Sequence, residues 1–423
     1  MESHSSYGLP TGNPHPEGPA MNRLSNPHGT RTRTALAAAL VLGIAAGPIA
    51  AGPALAKTPA TASQHTPGPG TTALRPGPDT KALRDALAGL PNADTTAALV
   101  RVGGNGADWR GSSGVHDLTT HRPADPNARF RAGSVTKVFT AATVLRLAAE
   151  GKVDLDRPAR SYLPAEIPAS YDKVTVRQLL NHTHGIPSPD FPGKNVTEWY
   201  EHRFDLHTAR GMIASATSPA KEKDSTEPGT VQRYTNIGYT IAGLLVEKVS
   251  GTSYEEAVAR RILRPLALHD TYFPGTSPRI KGPHNHGYQV FPTPDGSTEL
   301  RDVSVWGTTD GWAAGDLVST TADLEKFLKA LFRGQVVRGP LLEEMFTVPD
   351  IAGANMSVGL QRFDAGNGRI LWLKTGGRWG YNAVIAGTRD LSRTLVHSVN
   401  STDAKGKGMN PTAERILRAA FSR

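Results

Sequence analysis

Ser134 and Lys137 stand three residues apart in the stretch FRAGSVTKVFTAATVLRLAAEG, residues 130–151. A serine hydroxyl is a poor nucleophile until a base takes its proton, and a lysine amine removed from water loses enough basicity to be that base. Positions i and i+3 share one face of a helix, so the two side chains can meet. Such a pair points to acyl transfer through a serine. The pattern S-x-x-K occurs three times, also as Ser170/Lys173 and Ser218/Lys221. Ser218 precedes Pro219 in a polar stretch, and Ser170 lies in a Pro-rich loop ahead of Val174. Only the first pair opens a long helical pattern. Val138, Ala142, Leu145 and Ala149 recur at helical spacing as one buried face, Gly133 permits a sharp entry, and Gly151 is placed to end the helix. Taken alone, the pair would still be read as a helix N-terminus with a solvated lysine.

Two further patterns stand downstream. Tyr234 and Asn236 form a Y-x-N that occurs once, ahead of Ile237, Ile241, Leu244, Leu245 and Val249 at helical spacing, closed by Gly251. Alone it reads as packing and an N-cap. Lys374, Thr375 and Gly376 form the chain's single K-[ST]-G, followed by Gly377, at the end of a strand-like run. A lysine and a hydroxyl at a strand edge can bind a substrate carboxylate, and glycine there lets a ligand approach the backbone. Three weak motifs in this order carry more weight together than any one of them.

The elements that must position these residues follow from periodicity and capping signals. A helix is expected over 81–90 and an apolar strand over 97–102, with a hairpin turn at Gly103, Gly104, Asn105 and Gly106. Thr175 is placed to cap a short helix, VRQLLN, that leads into His182 and His184. That H-x-H lacks a third ligand at a useful spacing, so no metal is expected there and a turn supporting the pocket is the reading. The forty residues after Gly185 read as irregular and hydrophilic. Ser253 and Glu256 make a capping box for a helix that Pro265 ends, and Thr320 to Asp323 start another through Leu324, Phe327, Leu328 and Leu331. Residues 370–374, 381–388 and 394–400 read as three antiparallel strands, and 411–421 as a terminal helix. Strands at both ends with helices between them predict an α+β fold, an antiparallel sheet flanked by helices with an inserted, mostly helical lobe.

Residues 1–56 read as an export signal: Arg31 and Arg33 supply positive charge, 35–46 an apolar core, and Ala54, Leu55 and Ala56 a cleavage site, with Met21 a possible true start. Residues 57–80 are rich in Pro, Thr and Gly and read as a disordered linker, leaving 81–423 as one catalytic domain. The protein is expected to act outside the cytoplasm as a monomer. The chain has no cysteine, so the fold must hold without disulfides or thiolate metal sites. A net charge of +9 with a pI near 9.7 suits an anionic cell wall. The basic residues are dispersed and lack interleaved aromatics, which argues against nucleic acid.

With these motifs in order, the sequence resembles the penicillin-recognising serine hydrolases, most closely secreted DD-carboxypeptidases and class C β-lactamases. The resemblance rests on FRAGSVTK, LAAEGKVDLD, VTVRQLLNHTHGI, PGTVQRYTNIGYTIAGLLVEKVSG, AAGDLVSTTADL and KTGGRWGYNA, and covers nearly all of 81–423. It implies a β-lactamase/DD-peptidase-like fold, no cofactor, and an acyl-enzyme on Ser134 with Lys137 as proton acceptor. It further implies that Tyr234 relays a proton to the leaving nitrogen, its pKa lowered by Lys137 and Lys374. Asn236 would hold Lys137 and the substrate amide, Lys374 and Thr375 would meet the substrate carboxylate, and the N–H groups of Ser134 and Gly377 would form the oxyanion hole.

Two departures from the carboxypeptidase pattern are visible. Lysine stands at 374 where those enzymes tend to carry histidine, and Gln361 falls where they place an arginine on the C-terminal carboxylate; Arg362 and Arg378 are the neighbouring candidates to replace it. The expected activity is D-alanyl-D-alanine carboxypeptidase on peptidoglycan stem peptides. A β-lactamase or small-ester esterase is the alternative, and a non-catalytic penicillin-binding or wall-binding homologue the rival from another class.

Overall fold

The computed structural model describes residues 77–421 apart from Pro192 and Asn367. The expected export signal at 1–56 and residues 57–76 of the expected linker lie outside the described residues. Among the described residues no helix is long and apolar enough to cross a membrane.

Among the described residues ten strands follow in chain order: β1 Thr95–Gly103, β2 Trp109–Gly114, β3 Phe130–Arg131, β4 Tyr288–Pro292, β5 Thr298–Asp302, β6 Val318–Ser319, β7 Gln361–Asp364, β8 Ile370–Arg378, β9 Tyr381–Thr388 and β10 Thr394–Ser401. The helices begin with α1 Thr80–Leu87, α2 Thr136–Ala149, α3 Val176–Leu180, α4 Val196–Glu201 and α5 Ala209–Ala216. They continue with α6 Ile237–Ser250, α7 Tyr254–Val258, α8 Thr321–Phe332, α9 Pro340–Glu343 and α10 Pro411–Phe421. One antiparallel sheet runs in the order β2-β1-β10-β9-β8-β7, so the N- and C-terminal parts of the chain build it jointly, as expected. Leu99 faces Ser398 across β1 and β10, and Lys374 faces Ile385 across β8 and β9.

Both faces of the sheet are covered, which explains why β1 is apolar without clean alternation. Ala98, Val100 and Val102 pack with Leu83 and Leu87 of α1 and Ile416 and Phe421 of α10. On the other face Ala383, Ile385 and Val396 join the larger core of α2, α6 and α8. Arg101, on that same face, donates to Thr321 and Glu325 of α8.

Several local expectations change. α2 is not a one-faced helix: Thr136 through Leu145 are all buried, whereas Ala149 is exposed. It lies between the sheet and the helical lobe, and its threonines are tolerated because each hydroxyl is bonded, Thr143 to Phe139 O at 2.8 Å for example. α6 is likewise buried from Ile237 to Val246. Residues 186–228 carry α4 and α5, capped by Asn195 and Thr208, and bury Met212, Ile213 and Ala216. At the 253 capping box only half forms: Ser253 Oγ accepts from Glu256 N, while the Glu256 carboxylate turns to Arg260 and Arg264.

Candidate active site

Ser134 sits in a 3-10 turn, Gly133–Val135, that leads directly into α2. Gly133 has φ +53°, and a Cβ there would stand 2.6 Å from Gly377 N. A Cβ on Gly376 would run into Ala132 O and lie 2.9 Å from Ser134 N. Glycines at 133 and 376 therefore allow the serine turn and the end of β8 to touch. β7 covers β8 only as far as Leu373, so the backbone from Lys374 to Arg378 is unpaired on that side. It is this stretch that meets the serine turn and brings Ser134 N and Gly377 N together. Thr136 locks the turn, donating to Gly133 O at 2.6 Å and accepting from Leu317 N at 3.1 Å.

Lys137 is fully buried, and its Nζ has three neighbours: Asn236 Oδ1 at 2.7 Å, Ala314 O at 2.7 Å and Ser134 Oγ at 3.2 Å. Burial, then Lys374, Lys405 and Arg378, push its pKa well below the ordinary lysine value. A neutral amine has two N–H donors and one lone pair. With the amine neutral, the carbonyls of Asn236 and Ala314 would take the two donors and leave the lone pair for the Ser134 hydroxyl. Asn236 precedes α6 but makes no cap with its side chain; the oxygen is given to Lys137 instead.

Tyr234 lies beside both lysines, its ring centroid 4.9 Å from Lys137 Nζ and 5.0 Å from Lys374 Nζ. The expected lowering of its pKa is not found. Burial raises the phenol above its ordinary value, and the nearby Ser134 hydroxyl offsets only part of that. The physical reason is that the two lysines are themselves desolvated toward neutrality, Lys374 to about 7, and so supply little positive charge. Among the described residues the buried Tyr234 hydroxyl has no hydrogen-bond partner of good geometry.

Two recesses meet at Tyr234, Lys374 and Thr375. One is lined by Ser134, Asn236, Gly377, Arg378 and Lys405, the other by His182, Met356 and Gln361. All seven residues singled out in the sequence line the first recess or reach it, Lys137 through its contact with Ser134. Lys374 Nζ donates to Thr375 O at 2.7 Å. The other two S-x-x-K pairs lie elsewhere: Ser170 and Lys173 are exposed, and Lys221 is bound to Asp190 at 2.5 Å.

Neither arginine stands in for a charge at Gln361. Arg362, next along β7, is exposed. Arg378 lines the first recess but is held by both oxygens of Asp310, at 2.9 and 2.7 Å. Burial alone would raise the Asp310 carboxyl, but Arg378 outweighs it and the pKa falls below the ordinary value.

Sequence reasoning missed four contributors. Lys405 enters the first recess from the loop before α10, its Nζ 3.2 Å from Gly377 O; burial and Arg378 lower its pKa to about 8. Ala313 and Ala314 pin α2 through Thr140 Oγ1 and Lys137 Nζ. Gln232 clamps the wall of the second recess, donating to Asn181 O and Met356 O and accepting from Asn355 N and Met356 N. Its position two residues before Tyr234 was the available signal. The His182 ring packs on Tyr234 at 4.5 Å, and His184 Nε2 meets Thr235 Oγ1 at 3.1 Å, so the H-x-H supports the tyrosine.

An antiparallel sheet flanked by helices, with a serine turn packed on its open strand edge, defines a β-lactamase/DD-peptidase-like fold. Residues 83–419 match the Beta-lactamase family, and the chain belongs to that family of serine hydrolases. A D-stereospecific amidohydrolase from Streptomyces sp. is similar, with 30% identity, a TM-score of 0.69, and coverage of 81% of this chain and 99% of that one. The D-amino acid amidase of Ochrobactrum anthropi SV3, crystallised with L-phenylalanine amide, is 25% identical with a TM-score of 0.66, covering 80% of this chain and 97% of the amidase. Penicillin-binding protein 4* of Bacillus subtilis is 27% identical over 305 residues, 69% of this chain. The match spans 65% of that protein's own length, and 41% of the length of protein flp from Staphylococcus aureus.

Proposed function

We propose that the protein is a D-stereospecific amidohydrolase that works through an acyl-enzyme on Ser134. The observation that carries the chemistry is the set of contacts around Lys137 Nζ, two acceptors and one hydroxyl at 2.7, 2.7 and 3.2 Å, which suits a neutral amine acting as base. The substrate carbonyl lies against Ser134 Oγ, with its oxygen between the N–H groups of Ser134 and Gly377. Lys137 takes the hydroxyl proton as the Oγ–carbon bond forms, and negative charge gathers on the oxygen where those two donors stabilise it. Tyr234, kept protonated by burial, delivers a proton to the departing nitrogen as the carbon–nitrogen bond breaks, and recovers one from the Lys137 side. Water then attacks the ester carbon, Lys137 accepts its proton and returns it to Oγ as the carbon–Oγ bond breaks, and Ser134 leaves as the alcohol.

The choice of an amide with a neutral leaving group is supported by Gln361, by the outward position of Arg362, and by the engagement of Arg378 with Asp310. The D configuration is supported by similarity to the Streptomyces amidohydrolase. A second reading, DD-carboxypeptidase, is favoured by one observation: Lys374 and Thr375 line both recesses, an amine that a bound carboxylate would keep charged with a hydroxyl beside it. Action outside the cytoplasm belongs to the proposal on the strength of residues 1–56 alone, and N-terminal sequencing of secreted protein should find a start near Lys57.

Parallel assays of D-phenylalanine amide, its L enantiomer, an acylated D-Ala-D-Ala peptide, a cephalosporin and a p-nitrophenyl ester discriminate the readings. The D amide should be cleaved with the highest kcat/KM. Preference for the peptide moves the protein to the carboxypeptidase reading. Equal rates on both enantiomers contradict the stereochemical assignment.

A further inference from the structure

Away from Ser134, His116, Asp117 and His286 bring one ligand atom each to within 4.8 Å of one another. The sequence shows no sign of this cluster, because the turn after β2 and the segment before β4 are distant along the chain. Backbone contacts fix the two histidines against each other: His286 N donates to His116 O at 2.8 Å, and His116 N to Arg122 O at 2.7 Å. The segment beneath His286 is tied to the main sheet, since Tyr381 Oη and Asn400 Nδ2 both donate to Asn285 O, and Asn400 Nδ2 also to His286 O.

Hydrogen bonds orient two of the three ligands, His286 and Asp117. His286 Nδ1 lies 2.5 Å from Asp302 Oδ2, and Asp302 is itself held by Ser304 N at 2.8 Å. A carboxylate on Nδ1 favours the tautomer with the proton there and leaves Nε2 as the ligating nitrogen, the arrangement by which second-layer carboxylates set metal-binding histidines. Asp117 Oδ1 accepts from Thr119 N, Thr119 Oγ1 and Thr120 N, while among the described residues Oδ2 accepts only from Thr120 Oγ1. The rings of His116 and His286 meet edge to face with centroids 5.4 Å apart.

We propose that His116, Asp117 and His286 form a binding site for a divalent transition-metal ion of the Zn²⁺ class, buttressed by Asp302. Two imidazoles and one carboxylate suit borderline ions over Mg²⁺ or Ca²⁺, and three protein ligands leave a position for water. Ligands about 2.0–2.1 Å from zinc stand about 3.4 Å apart, so small side-chain rotations complete the site. The ion staples the turn after β2 to the segment before β4. It takes no part in the chemistry at Ser134.

Isothermal titration of the full chain with ZnCl₂ at neutral pH tests this, run beside His116→Ala, His286→Ala and Asp302→Asn variants. The unmodified chain should bind one equivalent of Zn²⁺ more than either alanine variant, and this equivalent should be absent with MgCl₂. Asp302→Asn keeps all three ligands and should weaken that equivalent by about 10–100-fold. Should an alanine variant fail to fold, the thermal shift produced by zinc in the unmodified chain and in Asp302→Asn gives the same comparison. Equal zinc stoichiometry in the unmodified chain and a folded alanine variant overturns the site, and unchanged affinity in Asp302→Asn overturns the buttress.

Discussion

Replacing Gly133 by alanine puts a methyl group where the serine turn and β8 already touch. The new Cβ would stand 2.6 Å from Gly377 N and 2.9 Å from Gly377 O. Ordinary contact begins near 3.5 Å, so Gly377 has to retreat by about 0.9 Å or the turn has to open. The φ of +53° adds a backbone penalty of about 1–2 kcal/mol for any residue with a Cβ. That is a modest loss for a domain of this size, so Gly133→Ala should fold and melt a few degrees lower. Its effect on catalysis should be far larger. Displacing one oxyanion donor by close to 1 Å costs about 10²–10³-fold in kcat. Steady-state hydrolysis of D-phenylalanine amide, with circular dichroism and a melting curve on the same preparations, separates the two effects. A folded Gly133→Ala enzyme within about threefold of the parent kcat would refute the placement of Gly377 N at the oxyanion.

Gln361→Arg should raise kcat/KM for an acyl-D-Ala-D-Ala peptide by roughly tenfold, the effect of one charge-assisted contact of about 1.5–3 kcal/mol, and leave an uncharged ester unaffected. A wild type that already cleaves the peptide well, with a variant that does so worse, would show that Gln361 only packs. The pH profile should also divide the substrates. Burial holds Lys374 at about 7, so it is cationic below that value and loses its charge above it. Because a bound carboxylate stabilises the charged form, KM for the peptide should climb on the alkaline side of pH 7, whereas an uncharged ester should show no such rise. Identical KM profiles for both substrates would remove Lys374 from carboxylate recognition.

The serine, its lysine and the strand-edge K-T-G were legible because each sits at a spacing that local geometry makes meaningful. The long elements were legible for the same reason: α8 carries its Thr320 cap and β8 to β10 their apolar runs. Buried helices misled in detail, since α2 and α6 are enclosed on every side and show no polar face to contrast with a stripe. β7, with the sequence QRFD, is too short and too polar to announce a strand, although it brings Gln361 to the recess. Lys405 was hidden because a lysine in a Gly-rich loop gives no local signal; only the course of β10 and α10 brings it to Gly377. The direction of the Tyr234 shift could not be taken from residue types, because it depends on how far burial neutralises the lysines around it.

The proposed reaction is covalent chemistry at one side chain, and intact-mass spectrometry reads it directly. Protein mixed with a penicillin or an activated D-amino acyl ester and quenched in acid should gain the mass of one acyl group, and peptide mapping should place it on Ser134. Ser134→Ala should gain nothing, while Ser170→Ala and Ser218→Ala should label like the parent, because those serines lack a buried lysine partner. A full adduct on Ser134→Ala, or one mapped to Ser170 or Ser218, would contradict the assignment of the nucleophile.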